Sequence, residues 1–325
     1  MGRRRSGAGE RPVIAGEAGC YTRAMATSIS PPPAPPAPKH LREVLELEQL
    51  DTNLFRSQVN QINVNRTLFG GQILGQGLKA ATQTVAPDRV CHSLHGYFLL
   101  AGASDIPVIY DVELTRDGGS FSTRRVVARQ RSRPIFHMEL SFHRREEGLH
   151  HEVAVSGDVP DPEDLMDVPQ LLQKFGDRLP KGATALASQE AIIQLRPVNP
   201  EMFMLRKQTL QRAQYWIRSA SPLPDDPLTQ LAGLAYLSDY FLVTTALLKH
   251  PNMMLSKDVM MASLDHAMWF HNPPKADEWI LVEAVSPFAG GARGLTRAEM
   301  FNRDRKLVAS VAQEGLIRLL EKPAG

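Results

Sequence analysis

One aspartate stands alone in the most apolar stretch of this 325-residue chain. Asp239 is the only charged residue between Leu231 and Leu248, a segment whose composition predicts a helix in the protein core. Burying an ionised carboxylate is costly unless partners or a chemical role compensate. A structural aspartate held by the backbone or by an arginine is the alternative. An isolated inward carboxylate is a candidate general base.

Two predicted strands carry polar residues on otherwise apolar faces. In a predicted strand from 259 to 271, alternation along residues 259–263 places Ser263 on the apolar side, and alternation along residues 307–313 does the same for Gln313. A single buried serine or glutamine is usually a satisfied structural group. Three inward polar groups in the same part of the chain, with Asp239 as the third, instead predict a common polar site.

A glycine-rich segment, Phe69–Gly77, opens a second predicted helix that runs to about Val85. It lacks the lysine of a Walker loop and the glycine spacing of a dinucleotide site, so nucleotide binding is disfavoured. Glycine inside a helix costs roughly 1 kcal/mol relative to alanine, so we expect another element to pack closely there. The free N–H groups at the helix start, near Gly70 and Gly71, suit a developing oxyanion.

Other catalytic classes are disfavoured by what the chain lacks. The segment Gly118–Ser122 has no final glycine for a serine-hydrolase elbow. His92 and His95 lie three residues apart on a predicted strand, so they face opposite sides and cannot share a zinc ion. Cys20 and Cys91 are the only cysteines, which excludes a disulfide framework and favours Cys91 as a packing residue. We expect no metal and no cofactor.

Composition restricts the partners and the compartment. A net charge of +2 and 6% aromatic residues do not favour nucleic acid. The apolar stretch around Asp239 contains too many polar residues for a membrane span, and Arg3–Arg5 are not followed by the apolar region of a secretory signal. The chain ends in Lys322–Gly325, without the Ser-Lys-Leu peroxisomal address. We therefore expect a cytoplasmic protein.

The elements that position these residues occur in two similar sets. In each half a long helix is followed by several strands, which predicts an α+β fold of two related domains. Ser93–His95 matches Ser263–Asp265, and Arg124–Phe142 matches Thr296–Glu314, so we infer a duplication. The predicted divisions are a disordered proline-rich tail at 1–40, a first domain at 41–150, a linker at 151–188 and a second domain at 189–320.

At these residues the chain resembles the type II acyl-CoA thioesterase family, over about residues 42–320. The similarity is carried by five segments: Leu68–Gln72, His92–Phe98, Ser120–Val126, Ser263–His271 and Ala312–Gly315. It implies two fused hotdog domains, each an antiparallel sheet wrapped around a long central helix. It also implies a catalytic triad of Asp239, Ser263 and Gln313. The long N-terminal tail and the missing peroxisomal tripeptide depart from the family, and the missing tripeptide favours a cytosolic enzyme of bacterial type over a peroxisomal one.

The resemblance implies hydrolysis of fatty acyl-CoA. We expect the triad to hold one water that attacks the thioester carbonyl, with Asp239 as general base or charge stabiliser. Gly70, Gly71 and Gln72 are expected to lie at the substrate-binding helix start, and Arg293 to meet the coenzyme A phosphates. The acyl chain is expected to enter a tunnel along the apolar helix. We also expect a homo-oligomer.

Two other functions stay open at this point. A hotdog hydratase or dehydratase needs a histidine–carboxylate pair at the helix, where the first helix of this chain has Gln72. A non-catalytic acyl-CoA-binding module would have no use for an inward Asp–Ser–Gln set. Release of free thiol from acyl-CoA distinguishes hydrolysis from both.

Overall fold

The computed structural model describes residues 33–63, 66–176, 192–203, 209–251, 253, 256 and 258–320. The elements of its first half, in chain order, are α1 Leu41–Leu45, β1 Leu47–Asp51, β2 Leu54–Ser57, α2 Gly70–Thr82, β3 Val90–Phe98, β4 Ile109–Asp117, β5 Phe121–Gln130 and β6 Arg133–His143. A 3₁₀ turn at Pro162–Asp164 and the helix α3, Val168–Phe175, follow.

The second half repeats this plan. Its elements are β7 Ile193–Pro197, a 3₁₀ turn Pro200–Phe203, β8 Ala213–Ser219, α4 Pro227–Leu237, α5 Leu242–Thr245, β9 Val259–Ser263, β10 Asp265–Phe270, β11 Ile280–Gly290, β12 Arg293–Phe301 and β13 Leu307–Leu319. None of the helices in the described part of the chain has the length and apolar character needed to cross a membrane.

One sheet runs through both halves. Its strand order is β1-β2-β4-β5-β6-β3-β10-β13-β12-β11-β8-β7, with β9 also paired to β13. Neighbouring strands are antiparallel, and the two halves join where β3 pairs with β10, with Leu94 opposite Met268. Because the same strand sequence occurs on each side of this junction, the inferred duplication has a direct structural counterpart.

The two long helices pack against each other inside the sheet. Leu74 and Leu78 of α2 and Leu234 of α4 are fully buried. At Gly75 a Cβ atom would lie 2.9 Å from the carbonyl oxygen of Ala232, so only glycine permits this approach. The expected close packing at the glycine-rich helix is confirmed.

The prediction of one helix from Leu231 to Leu248 is wrong. The chain forms α4 and then α5, separated by a break at residues 238–241. Phe241 has a φ of 63°, in the left-handed region that interrupts a helix and costs energy for a bulky residue. Asp239 therefore lies in the break and not on a helix face, which frees its carboxylate to point toward the start of α2.

The predicted domain divisions are only partly covered by the described residues. Residues 1–32 of the predicted tail lie outside them, and 33–40 contain neither helix nor strand. The predicted linker, described to residue 176, holds α3, whose start is capped by Asp167 and Gln170. That capping box is a sequence signal the composition-based prediction overlooked. The division at 151–188 itself stays a prediction.

Candidate active site

The start of α2 is built for close approach to a carboxylate. Its N-cap is Phe69, whose side chain does not cap the helix. A Cβ atom on Gly70 would lie 2.6 Å from Oδ2 of Asp239, and one on Gly71 would lie 2.4 Å from the carbonyl oxygen of Tyr236. The two glycines thus let the positive end of the helix meet the break that carries Asp239.

The three residues predicted to form a site are brought together. Gln313, in β13, donates from Nε2 to Oδ1 of Asp239 at 3.3 Å and to Oγ of Ser263 at 2.6 Å. Ser263 is the last residue of β9, which pairs with β13 beside this position. Gln313 is 1% exposed, as the strand alternation predicted. The proximity of the trio supports, without testing, its catalytic assignment.

Burial sets the electrostatics of the site. It raises the pKa of Asp239 to about 7, against the opposing effects of the hydrogen bonds from Gln313 and from the backbone N–H of Gly71. The residue as a whole is half-buried. A carboxyl group with a pKa near neutrality can accept a proton from water and release it again at physiological pH.

His266 is a site residue that sequence reasoning missed. Its ring is fully buried, with Nδ1 3.0 Å from Oε1 of Gln313 and Nε2 2.9 Å from Oγ of Ser238. Burial lowers the pKa of His266 to about 4, so the ring is neutral at pH 7. Because an ionised Asp239 accepts only, Gln313 must present its amide N–H₂ to it and its oxygen to the histidine. Nδ1 of His266 therefore carries the proton and donates to Gln313.

A cavity of about 260 Å³ opens beside the trio. Gly70 and Ile73 of α2 line one side and Ser263 the other. Most of the remaining lining is apolar, from residues 98–102 and 261–264. A thioester carbonyl at this position would have Ser263 and the α2 start on its two sides, with an apolar space beyond.

Neither Gln72 nor Arg293 is among the residues that line this cavity. Gln72 is fully buried; its Oε1 accepts from the backbone N–H of Gln61 at 2.6 Å, and its Nε2 donates to the carbonyl of Val59 at 3.2 Å. Its side chain therefore stabilises the helix start from inside. Arg293 is half exposed, pairs with Glu314 at 3.0 Å and lines a separate cavity of about 240 Å³.

The burial of Cys91 agrees with its predicted role in packing, and His92 and His95 contact different rings. Burial raises the pKa of the Cys91 thiol, which is 1% exposed. His95 stacks edge-on against Trp269, and the His92 ring instead contacts His143, with centroids 6.1 Å apart. Within the described ranges, no three histidine, cysteine or acidic side chains group closely enough to hold a metal ion. The expected absence of metal and cofactor stays a prediction.

Comparison with known proteins places this geometry in a family. Models described as "Acyl-CoA thioesterase" and "Acyl-CoA thioesterase N-terminal domain" match residues 190–316 and 60–143. The human acyl-coenzyme A thioesterase 8 is 40% identical over 284 residues, which cover 85% of this chain and 88% of the relative.

Solved structures agree. An acyl-CoA thioesterase II, TesB2, from Mycobacterium marinum is 39% identical with a TM-score of 0.70, covering 86% of this chain and 98% of the other. A protein of unknown function with a hot dog fold from Alicyclobacillus acidocaldarius has a TM-score of 0.66 at 19% identity, covering 86% and 98%. The predicted double hotdog fold is confirmed, and the chain belongs to the acyl-CoA thioesterase family.

Proposed function

We propose that this protein hydrolyses fatty acyl-CoA to a free fatty acid and coenzyme A, with a water molecule activated by Asp239, Ser263 and Gln313. The observation that carries the proposal is the Asp239 carboxylate beside the start of α2, within hydrogen-bond reach of an amide that also binds a serine hydroxyl. Burial, which raises the pKa of Asp239 to about 7, supports it. A general base works best when its pKa lies near the working pH.

In the proposed step, a water held by Asp239 and Ser263 attacks the thioester carbonyl carbon. One water proton passes to the Asp239 carboxylate as the new C–O bond forms, and the carbonyl electron pair moves onto its oxygen. Collapse of the tetrahedral intermediate breaks the C–S bond, and the proton on Asp239 is returned to the departing thiolate. No covalent enzyme intermediate is needed, because a thiolate leaves readily.

The oxyanion is assigned to the start of α2. Gly71 donates its backbone N–H toward Asp239, whereas the N–H of Gly70 makes no hydrogen bond to the described residues. Gly70 also lines the cavity beside Ser263. An uncapped N–H at a helix N-terminus suits a developing negative charge, so we assign Gly70 as the donor.

The rest of the substrate is placed by charge and polarity. The apolar lining of the 260 Å³ cavity, with Phe98, Leu99 and Leu264, suits the acyl chain. Arg293 stays a proposed contact for the coenzyme A phosphates, and to bind them it must exchange its ion pair with Glu314. Gln72 is proposed to act on substrate binding through the shape of the helix start, because protein groups occupy its amide.

Both predicted domains contribute to this one site. We propose that residues 41–150 supply the helix start and residues 189–320 supply the trio, so neither half is expected to hydrolyse alone. A cytoplasmic location and a homo-oligomer are also proposed. Tyr97 and Trp269 support the oligomer, since they are 55% and 39% exposed on adjacent strands at the junction of the halves. Light scattering of the purified protein measures its oligomeric state.

The experiment is thiol release from a panel of acyl-CoA substrates of increasing chain length. We expect release by the wild type, and a fall of about tenfold or more in turnover for Ser263→Ala and Gln313→Ala. Ser120→Ala, in an exposed turn, is the matched control and should keep full activity. No thiol release from any acyl-CoA, with binding intact, would favour a binding module; a hydrated or dehydrated product would favour a lyase.

A further inference from the structure

A second cavity, of about 380 Å³, lies away from the trio. It is formed at the start of α4, at the first residues of β3 and at the end of β10. Its lining includes Pro227, Gln230 and Leu231 from the helix, residues 90–92 from β3 and residues 270–275 that end and follow β10. None of these residues takes part in the proposed hydrolysis.

This cavity is the duplicate of the catalytic one. The catalytic cavity uses the first and fourth residues of α2, Gly70 and Ile73, and the second cavity uses the first and fourth of α4, Pro227 and Gln230. The strand segments correspond in the same way: 261–264 and 98–102 line the first cavity, and 90–92 and 270–274 line the second. Each half therefore supplies a helix start and a strand end to one cavity, and a second strand segment to the other.

The second cavity has lost the hydrolytic groups. In the match of Arg124–Phe142 with Thr296–Glu314, the counterpart of Gln313 is Ser141, whose Oγ lies 2.8 Å from Nε2 of His92. Counted from the helix starts, the counterpart of Asp239 is Thr82, whose hydroxyl donates to the carbonyl of Lys79 at 2.8 Å. Catalysis of the same kind is therefore excluded, while the cavity itself is retained.

Basic side chains have gathered at the rim of this second cavity. Its lining contains His92, His143, Arg145, His271 and Lys275 and only one carboxylate, that of Asp225. The Lys275 amine lies 3.9 Å from that carboxylate. By contrast, Arg145 has no ion-pair partner within the described residues, although its neighbour Arg144 pairs with Asp88 at 2.5 Å.

The interior of the second cavity has a different character from its rim. Leu231 is 3% exposed and Phe270 is 8% exposed, and prolines 273 and 274 also line the cavity. The helix start is already capped, because the Asp226 carboxylate accepts from the N–H of Leu228 at 3.0 Å. An anionic group is therefore excluded from the helix end by like charge. Arg145 is the place for it, because Lys275 already pairs with Asp225 and Glu278 and burial lowers the pKa of His92 and of His271.

We propose that the second cavity binds an aliphatic carboxylate, with its chain against Leu231 and Phe270 and its charged head at Arg145 and His143. A guanidinium recognises a carboxylate through two parallel hydrogen bonds, and the apolar walls favour a ligand with a hydrocarbon body. The choice of a fatty acid rests on the proposed hydrolysis, whose product it is. The second cavity is then a non-catalytic product site.

The test is binding of octanoate to the full chain labelled at histidine, followed by NMR. Octanoate should shift the His92, His143 and His271 ring signals, which report this cavity, independently of His266, which reports the trio. In Arg145→Gln, the octanoate concentration that gives half of the maximal shift of these three signals should be about tenfold higher. Arg144→Gln is the matched control, since that side chain pairs elsewhere, and it should bind octanoate as the wild type does.

Two further ligands test the class. Octan-1-ol lacks the charge and inorganic phosphate lacks the chain, so each should bind at least about tenfold more weakly than octanoate. Phosphate binding as tight as octanoate would overturn the amphiphilic class. If octanoate leaves the signals of His92, His143 and His271 unshifted, the proposed site is wrong. The same holds if Arg145→Gln and His143→Gln both bind octanoate as tightly as the wild type. Because hydrolysis is measured separately by thiol release, failure of either proposal is recognised without the other.

Discussion

Replacing Asp239 by Asn should remove activity and stabilise the fold at the same time. The two side chains are nearly isosteric, and the Asn carbonyl can still accept from Gln313. The substitution removes only the negative charge and the proton-accepting oxygen. We expect turnover to fall by about a hundredfold or more, the scale for losing a positioned base, while acyl-CoA still binds.

The stability change follows from the pKa. The carboxyl of Asp239 has a pKa of about 7 in the folded protein and about 4 in an unfolded chain. The folded state thus binds the proton more tightly, so its stability falls as pH rises from the unfolded pKa to the folded one. Between pH 5 and pH 8 the loss is about 3 kcal/mol, at roughly 1.4 kcal/mol for each pH unit below the folded pKa. The Asn variant lacks this loss.

Urea unfolding of both proteins at pH 5 and pH 8, with single-turnover hydrolysis at pH 8, measures both effects. From pH 5 to pH 8, the free energy of unfolding of the wild type should fall by about 3 kcal/mol relative to that of the variant. Asp111→Asn, on the outer face of β4, is the control and should show neither effect. A variant less stable at both pH values, with turnover per folded molecule intact, would show that Asp239 is structural and remove the centre of the mechanism.

Three further outcomes test the site. The wild-type kcat/KM should fall below pH about 7, because protonation of Asp239 removes the base; a flat profile from pH 5 to 8 contradicts its role. Gly70→Ala should lose about a hundredfold in turnover, because the added Cβ would lie 2.6 Å from Oδ2 of Asp239. Gly119→Ala is the control and should stay active, because a Cβ at that position has no atom within 4 Å. His266→Gln should lower kcat about tenfold with KM little changed, because the Gln313 amide loses the ring that holds its orientation. His95→Gln, at an exposed position, is the control. Equal rates for the two variants would rule out positioning by His266.

Much of the fold and the trio could be predicted because the signals are local. Period-two alternation placed Ser263 and Gln313 inward, and a lone charge in an apolar run marked Asp239. The break after α4 could not be predicted, because Phe241 adopts a left-handed backbone that its residue type disfavours, and tertiary packing decides such a conformation. The position of the carboxylate follows from that break.

His266 was missed for a related reason. The sequence predicts one strand from 259 to 271, in which alternation would turn His266 away from Ser263. The strand instead stops at Leu264, whose N–H donates to the carbonyl of Glu314 at 2.9 Å, and restarts as β10. This interruption shifts the alternation by one residue and turns His266 into the core. A one-residue shift reverses every side chain that follows, and no pattern read in a short window reveals it.

The two helix starts explain why only one of the duplicated cavities can catalyse. An uncapped start, as at Phe69 and Gly70, leaves backbone N–H groups for the oxyanion and costs helix stability. A start capped by Asp226 keeps that stability but fills the position with negative charge. A chain with two copies can keep one start open beside Asp239 and cap the other. The duplication thereby separates a catalytic helix start from a stabilising one, and releases the second cavity for a different ligand.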